Sequence, residues 1–194
     1  MKIEQLIKLI NDVKKITKQN KIMLFGSQAI YSKIKDVESD TILNSMEADF
    51  TLYSYKDKKE LENFVDMVDI IGEFSPYHTT YGFYAEGVSS FNESFPKNYK
   101  NRLINFQYSN DKNDIIQFMN IKDVVIMKLR RMDPKDHDFI EYLIEKQLIK
   151  LDDIIEIIDK EYMDVWEHSK GFLIDRIKFK FDNYKDNEMN LYDD

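Results

Sequence analysis

A glycine-serine pair and two acidic residues are the side chains of this sequence best suited to chemistry. Gly26-Ser27 directly follows a short apolar run, and Glu47 and Asp49 stand at alternate positions twenty residues later. Such a turn presents a hydroxyl and backbone N–H groups to phosphate, while paired carboxylates supply the oxygen ligands that Mg²⁺ prefers. Together these groups can hold a magnesium ion and a nucleoside triphosphate, so the constellation predicts nucleotidyl transfer.

The residues around Gly26-Ser27 predict a strand, a turn and a helix. Residues 22–25, Ile-Met-Leu-Phe, form an apolar run that is too short for a helix and typical of a buried central strand. Residues 28–32 contain no helix breaker, so we expect Ser27 at or near the N-cap of a helix. Its hydroxyl and the neighbouring N–H groups would then point outward as a phosphate cradle.

The two acids are expected to project from one face of the next strand. Apolar and polar side chains alternate over residues 46–53, which places Glu47 and Asp49 together on the polar face. Their Cα atoms would lie about 7 Å apart, at a rise of roughly 3.3–3.4 Å per residue. Both carboxylates could therefore reach one metal ion or bridge two. The solvated face of an ordinary edge strand would show the same alternation.

The remaining elements predict an α+β fold, a mixed β-sheet flanked by helices and followed by a helical C-terminal unit. Antiparallel strands are expected at residues 80–89, 102–108 and 115–119. The predicted helices span residues 2–18, 58–71, 121–131 and 135–145, with further helices around residues 154–158 and 162–177. We expect a catalytic domain over residues 1–120, a helical region over residues 121–181 and a flexible tail over residues 182–194.

Composition and charge exclude several classes of protein. The 194 residues can build one or two packed cores, and the absence of cysteine excludes disulfides, thiolate metal sites and cysteine nucleophiles. The amphipathic start of the sequence leads us to expect neither a signal peptide nor a membrane span, and therefore a cytoplasmic protein. A net charge of −8 argues against broad attraction to nucleic acid. A restricted basic groove could still be formed by Lys97, Lys100, Arg102, Lys128, Arg130, Arg131 and Lys135.

Two segments match motifs of a known superfamily. Residues 24–27, Leu-Phe-Gly-Ser, and residues 45–50, Ser-Met-Glu-Ala-Asp-Phe, resemble the signature of nucleotidyltransferases related to DNA polymerase beta. Residues 123–129, with Lys135, Asp136 and Phe139 beyond, look like the lysine- and acid-bearing helices of the bacterial AbiEii-type branch, which comprises toxins of toxin-antitoxin and abortive-infection systems. The spacer between Gly26-Ser27 and the two acids departs from the tighter form of the pattern. The first acid, Glu47, is glutamate rather than the commoner aspartate.

The resemblance implies a metal site built from acids. Glu47 and Asp49 would bind Mg²⁺ or Mn²⁺ and serve the reaction together with a third acid from a neighbouring strand. Our candidate for that acid is Glu86, because Gly87 beside it permits a close approach. An ordinary surface acid would fit the sequence at Glu86 equally well.

The resemblance also implies residues that bind the nucleotide and the substrate. Gly26, Ser27 and Lys128 would contact the phosphates, and Lys135 and Asp136 are candidates for contact with the substrate. Alternatively, Lys128 could snorkel from an amphipathic helix, and Asp136 could belong to an ordinary first turn. His78 and His137 stand alone in the sequence and are expected to have structural or surface roles.

The resemblance implies a nucleoside triphosphate donor and a hydroxyl acceptor on RNA, such as a tRNA end, or on a protein, with an antitoxin as partner. Two alternatives stay open. One is a non-catalytic partner-binding protein on a degenerate nucleotidyltransferase fold, which a remote Glu86 would favour. The other is a small-molecule adenylyltransferase, which needs an acidic acceptor pocket. No membrane partner is expected.

Overall fold

The computed structural model describes residues 1–89, 95–112, 114–163 and 166–181. Its strands are β1 (Ile22–Phe25), β2 (Glu47–Leu52), β3 (Tyr84–Gly87), β4 (Ile104–Gln107) and β5 (Ile115–Phe118). They form one mixed sheet in the order β3-β2-β1-β5-β4. The mixed sheet with flanking helices confirms the predicted α+β class.

Helices fill most of the remaining described chain. The α-helices are α1 (Ile3–Thr17), α2 (Asp40–Leu43), α3 (Lys58–Asp69), α4 (Pro76–Tyr81), α5 (Ile121–Arg131), α6 (Pro134–Glu145), α7 (Leu151–Glu161) and α8 (Lys170–Phe181). Two 3₁₀ helices cover Ser27–Ser32 and Tyr99–Arg102. Within the described residues, no helix combines the length and the apolar character needed to cross a membrane.

Strand β1 lies at the centre of the sheet, as its apolar sequence predicts. It pairs antiparallel with β2 and parallel with β5, and all four of its residues are buried. In β2, Ala48, Phe50 and Leu52 are buried, whereas Glu47 and Asp49 on the other face are half-buried. The core therefore takes the apolar face of β2 and leaves the acids on the opposite face.

The prediction of an antiparallel strand over residues 80–89 is wrong in length and direction. Only Tyr84–Gly87 is a strand, and it runs parallel to β2. The preceding residues form α4, because the Ser75 hydroxyl accepts a hydrogen bond from the His78 N–H (3.1 Å) and Pro76 occupies the first turn. With α3 and α4 between them, β2 and β3 are joined by a crossover, which is the connection that parallel strands require.

The later elements agree with the sequence except at their ends. β4 and β5 pair antiparallel as predicted, but residues up to Arg102 belong to a 3₁₀ helix rather than to the strand. The last predicted helix begins at Lys170 instead of residue 162. The expected tail, residues 182–194, lies outside the described residues. The division into a domain over residues 1–120 and a helical region stays a prediction.

Candidate active site

Three carboxylates share the polar face of neighbouring strands β2 and β3. Asp49 is the Cα partner of Glu86, and Glu47 is the partner of Tyr84. Paired residues of adjacent strands project to the same side, so Glu86 stands beside Asp49, and Glu47 is two residues away on that face. The sequence left the position of Glu86 open, and the structure brings it to the other two acids.

Gly87 has a different role from the one expected. A Cβ atom at Gly87 would come within 3.0 Å of the backbone of Val65 in α3. Since side chains alternate along β3, this contact lies on the face opposite Glu86. The glycine therefore permits α3 to pack closely against the strand. The prediction that Gly87 permits a close approach at the acidic face, beside Glu86, is wrong.

Two features require glycine at position 26: the backbone conformation and the close approach of Asp49. The φ of Gly26 is 68°, in the left-handed region, and an added Cβ would lie 1.9 Å from Asp49 Oδ2. Gly26, rather than Ser27, is the N-cap, and Ser27 begins a 3₁₀ helix instead of the predicted α-helix. The turn between β1 and this helix thus seats the Asp49 carboxylate directly against the glycine backbone.

A cavity of about 350 Å³ opens over this turn. It lies between β1 and the acid-bearing strand β2 on one side and helix α5 with the start of α6 on the other. Its lining consists of Phe25, Gly26, Ser27, Glu47, Asp49, Val124, Met127, Lys128, Arg130, Arg131, Lys135 and Glu167. One wall therefore carries carboxylates and the opposite wall carries cations, and the volume is in the range of small-ligand sites.

Lys128 and Arg131 are held by one buried carboxylate, Asp136. Lys128 Nζ donates to Asp136 Oδ1 (2.7 Å), and Arg131 donates through Nε to Oδ2 and through Nη2 to Oδ1 (both 2.8 Å). The Lys128 ammonium also lies 4.7 Å from the centre of the Phe139 ring. Lys128 is thus a buried, ion-paired lysine that lines the cavity, and not a snorkelling surface residue.

Asp136 lies beneath the cavity and is absent from its lining. Its side chain is fully buried, and its Oδ2 also accepts from the Asp133 N–H (3.2 Å) in the capping box of α6. The structure therefore does not support the expected contact of Asp136 with substrate. The cap turns the carboxylate inward, where it holds Lys128 and Arg131 in position. Lys135, the other predicted substrate contact, does line the cavity.

Burial and neighbouring charges shift the pKa values of the acids and of Lys128. Burial, and then the charges of Glu47 and Glu86, raises the pKa of Asp49 to about 7. Burial also raises the pKa of Glu86, with Glu47 as the next cause, and burial lowers the pKa of Lys128. Crowded carboxylates with raised pKa values mark a place where a cation would be stabilised.

Glu47 has two partners besides the other acids. Its Oε2 accepts a hydrogen bond from the Tyr84 hydroxyl (3.2 Å), and its Oε1 lies 3.8 Å from Lys135 Nζ. The contact between Tyr84 and Glu47 was not predicted from the sequence. The available signal was the place of Tyr84 two residues before Glu86 on one strand, but its pairing with Glu47 depends on the register between β2 and β3.

A second cavity, of about 530 Å³, adjoins the first and shares Glu47 with it. It lies between β3 and the end of α3, where the Ala85 N–H donates to Ile71 O (3.1 Å). Its lining consists of Glu47, Asp69, Gly72, Glu73, Tyr84, Ala85 and Glu86. Glu86 therefore faces this second cavity, and it is one of the four carboxylates that line the cavity.

The predicted basic groove is formed only in part. Four of its residues, Lys128, Arg130, Arg131 and Lys135, line the first cavity, whereas Arg102 is engaged elsewhere. Its Nη2 lies 2.6 Å from Asp123 Oδ1 in α5, and its Nη1 lies 2.6 Å from Glu161 Oε1 in α7. Burial opposes the cation, but these two carboxylates more than compensate and raise the pKa of Arg102. Arg102 thus joins helices, while Lys97 and Lys100 are exposed.

The two isolated histidines differ. His78 Nδ1 accepts a hydrogen bond from the Phe74 N–H (3.2 Å), in line with the structural role expected. His137, in contrast, is not alone: its Nδ1 lies 3.2 Å from Glu141 Oε2. Together with Asp138 these residues offer ligand atoms within 4.8 Å of one another, which could hold a metal ion on the outer side of α6.

The mixed sheet, the glycine-serine turn and the acids of β2 agree with the class of nucleotidyltransferases. Residues 2–188 match the family described as nucleotidyltransferase of unknown function (DUF6036), and the chain belongs to this family. Membership confirms the superfamily predicted from the motifs and implies a nucleoside triphosphate as substrate. No curated protein and no solved structure matches the chain. The AbiEii-type branch stays a prediction.

Proposed function

We propose that the protein transfers a nucleotidyl group from a nucleoside triphosphate to a hydroxyl acceptor with the help of Mg²⁺ or Mn²⁺. The observation that carries this proposal is the register of β2 and β3, which sets Glu86 beside Asp49 and Glu47. A degenerate fold would not need three crowded carboxylates, two of which face a cationic wall. The alternative of a non-catalytic partner-binding protein is disfavoured for the same reason.

The donor set suits a hard divalent cation. Glu47 and Asp49 supply carboxylate oxygens. The pKa of Asp49 is raised first by burial and then by the charges of Glu47 and Glu86, which a bound cation would neutralise. When bound, such a metal polarises the attacking hydroxyl and offsets charge on the triphosphate. The resemblance, the acid cluster and the Gly26 turn support these assignments together.

The chain's own residues then account for the remaining steps. Lys128, Arg131 and Lys135 bind phosphate oxygens from the cationic wall, and Asp136 holds the first two in position. The acceptor oxygen forms a bond to the α-phosphorus, the bond to pyrophosphate breaks, and the hydroxyl proton passes to Glu86. The raised pKa of Glu86 suits it to accept this proton.

The experiment is a transfer assay with Asp49→Asn. The protein is incubated with Mg²⁺, each labelled nucleoside triphosphate, and total RNA or cell lysate as the source of acceptor. We expect the variant to lose about 10²–10³-fold in rate, because the amide removes a charge at the metal and at the reacting phosphate. The exposed Asp36→Asn provides a matched control that should transfer normally. Equal transfer by the Asp49 variant would contradict the site.

The acceptor is the second part of the proposal. The resemblance suggests an RNA end or a protein hydroxyl, within a bacterial toxin-antitoxin or abortive-infection system of the cytoplasm. The cavity lined by Glu47, Asp69, Glu73 and Glu86 favours a cationic acceptor over a polyanion such as RNA. A protein acceptor, or a cationic small molecule, is therefore preferred. Label appearing in RNA and absent from protein and from small molecules would reverse this preference.

A further inference from the structure

The turn between α3 and α4 carries a phenylalanine that the fold itself does not explain. Phe74 has a φ of 59°, in the left-handed region that bulky residues rarely enter, and its side chain is 85% exposed. The backbone is kept there by the hydrogen bond from its N–H to His78 Nδ1. A strained backbone that displays an aromatic ring to solvent points to a function outside the fold.

Phe74 belongs to an apolar patch. Ile70, which follows the last residue of α3, is 62% exposed, and Met67 one turn earlier is also exposed. These side chains are large and hydrophobic, and they share one short stretch of chain. Three exposed, large apolar side chains so close in sequence are a candidate interaction surface.

The surroundings of this patch are strongly acidic. Residues 60–89 contain six Asp or Glu residues and no Lys or Arg. Asp69 and Glu73 flank the apolar side chains and also line the second cavity, together with Glu86. Two cations approach this region. Lys8, which lies over the Tyr81 ring of α4, is paired with Asp12 (2.7 Å), and Lys135 lies 3.8 Å from Glu47, where the two cavities meet.

We propose that this surface, the α3–α4 corner formed by Asp69, Ile70, Glu73, Phe74 and Glu86, docks a basic polypeptide segment that also carries apolar side chains. Phe74 and Ile70 would bury apolar groups of the partner, and a Lys or Arg of the partner would enter the cavity among the carboxylates. RNA would be repelled by these charges, and so would a second acidic copy of this chain.

The docked segment would lie next to the candidate active site, because the second cavity shares Glu47 with the first. The docking itself does not depend on nucleotidyl transfer. A binding measurement therefore tests this surface even if the proposed function fails, and an inactive protein that binds the segment would separate the two.

The test uses a fluorescent peptide of alternating Lys, Leu and Phe residues, with its binding followed by fluorescence anisotropy. We expect saturable binding by the unmodified chain and roughly tenfold weaker binding by Phe74→Gly. Glycine accepts the left-handed φ, so the melting temperature of this variant should stay the same or rise by a few degrees. Weaker binding without loss of stability is the signature of an interface residue.

Charge reversals show whether the attraction is local. The pair Asp69→Lys and Glu73→Lys should abolish peptide binding, whereas the exposed pair Asp36→Lys and Glu145→Lys changes the net charge equally and should leave it intact. Equal loss with both pairs, unchanged affinity of Phe74→Gly, or no saturable binding by the unmodified chain would each overturn the proposal. Tighter binding of the same peptide with Glu for Lys, or of an RNA oligonucleotide, would also overturn it.

Discussion

At the scale of single residues, the contact between Gly26 and Asp49 explains why the turn after β1 needs glycine. The left-handed φ alone would favour glycine, but the 1.9 Å approach of Asp49 Oδ2 to the missing Cβ excludes every other residue while the carboxylate stays in place. The turn and the proposed metal-binding acid are therefore one unit. A change at the glycine acts directly on the acid.

We predict that Gly26→Ala destabilises the protein by about 1–3 kcal/mol and displaces the Asp49 carboxylate. The free energy of unfolding in urea and Mn²⁺ binding measure the two effects. Gly82→Ala is a matched control, because Gly82 also has a positive φ (73°) but no atom within 4 Å of its added Cβ. It should lose stability and keep its affinity for Mn²⁺. Equal losses of that affinity in both variants would refute the contact.

The raised pKa of Asp49 predicts a pH dependence. Because the pKa is about 7 in the fold against an ordinary 3.8, the folded state binds more protons than the unfolded state between these values. Without metal, the contribution of Asp49 to stability is therefore greatest at low pH and is lost as the pH rises through 7. Mn²⁺ competes with the proton, so metal affinity should rise over the same window.

Unfolding in urea at several pH values, without metal, checks this prediction. Asp49→Asn removes the titrating group and should flatten the dependence between pH 4 and 7, whereas Asp36→Asn should leave it unchanged. An identical slope for the Asp49 variant and the unmodified chain would contradict the raised pKa of Asp49, which burial and the neighbouring carboxylates cause.

At the scale of elements, helices α5 and α6 are joined by the buried group of Lys128, Arg131 and Asp136. We predict that Asp136→Asn destabilises the protein by about 3–5 kcal/mol, because it leaves a buried lysine without a charged partner. Urea unfolding measures this loss. Adding Lys128→Met to this variant should recover part of the lost stability. A double-mutant cycle that shows no coupling between the two positions would contradict the ion pair of Lys128 with Asp136.

The elements differ in how far local sequence determines them. The alternation in residues 46–53 and the apolar run of residues 22–25 were enough to predict β2 and β1. The direction of β3 was not predictable, because α4 in residues 76–81 consists mostly of weak helix formers and depends on the Ser75 cap. Tyr84 and the inward turn of Asp136 also depend on tertiary packing that no local pattern encodes.

At the scale of the whole molecule, the charge is divided between the two cavities. The net charge of −8 suggests a uniformly acidic protein, but the wall formed by α5 and the start of α6 presents Lys128, Arg131 and Lys135 to the first cavity. The second cavity presents carboxylates instead. One molecule can thus attract an anionic nucleotide on one side of Glu47 and a cationic partner on the other.

Strand β3 lies at the edge of the sheet, so Glu86 is less protected against local unfolding than Glu47 and Asp49 are. Amides of the central β1 should exchange with deuterium only when the whole domain unfolds, whereas β3 has a strand on one side only and can open locally. Such an opening would carry Glu86 away and leave Glu47 and Asp49 in place. The fold can therefore lose its third acid transiently while the rest of the sheet stays folded.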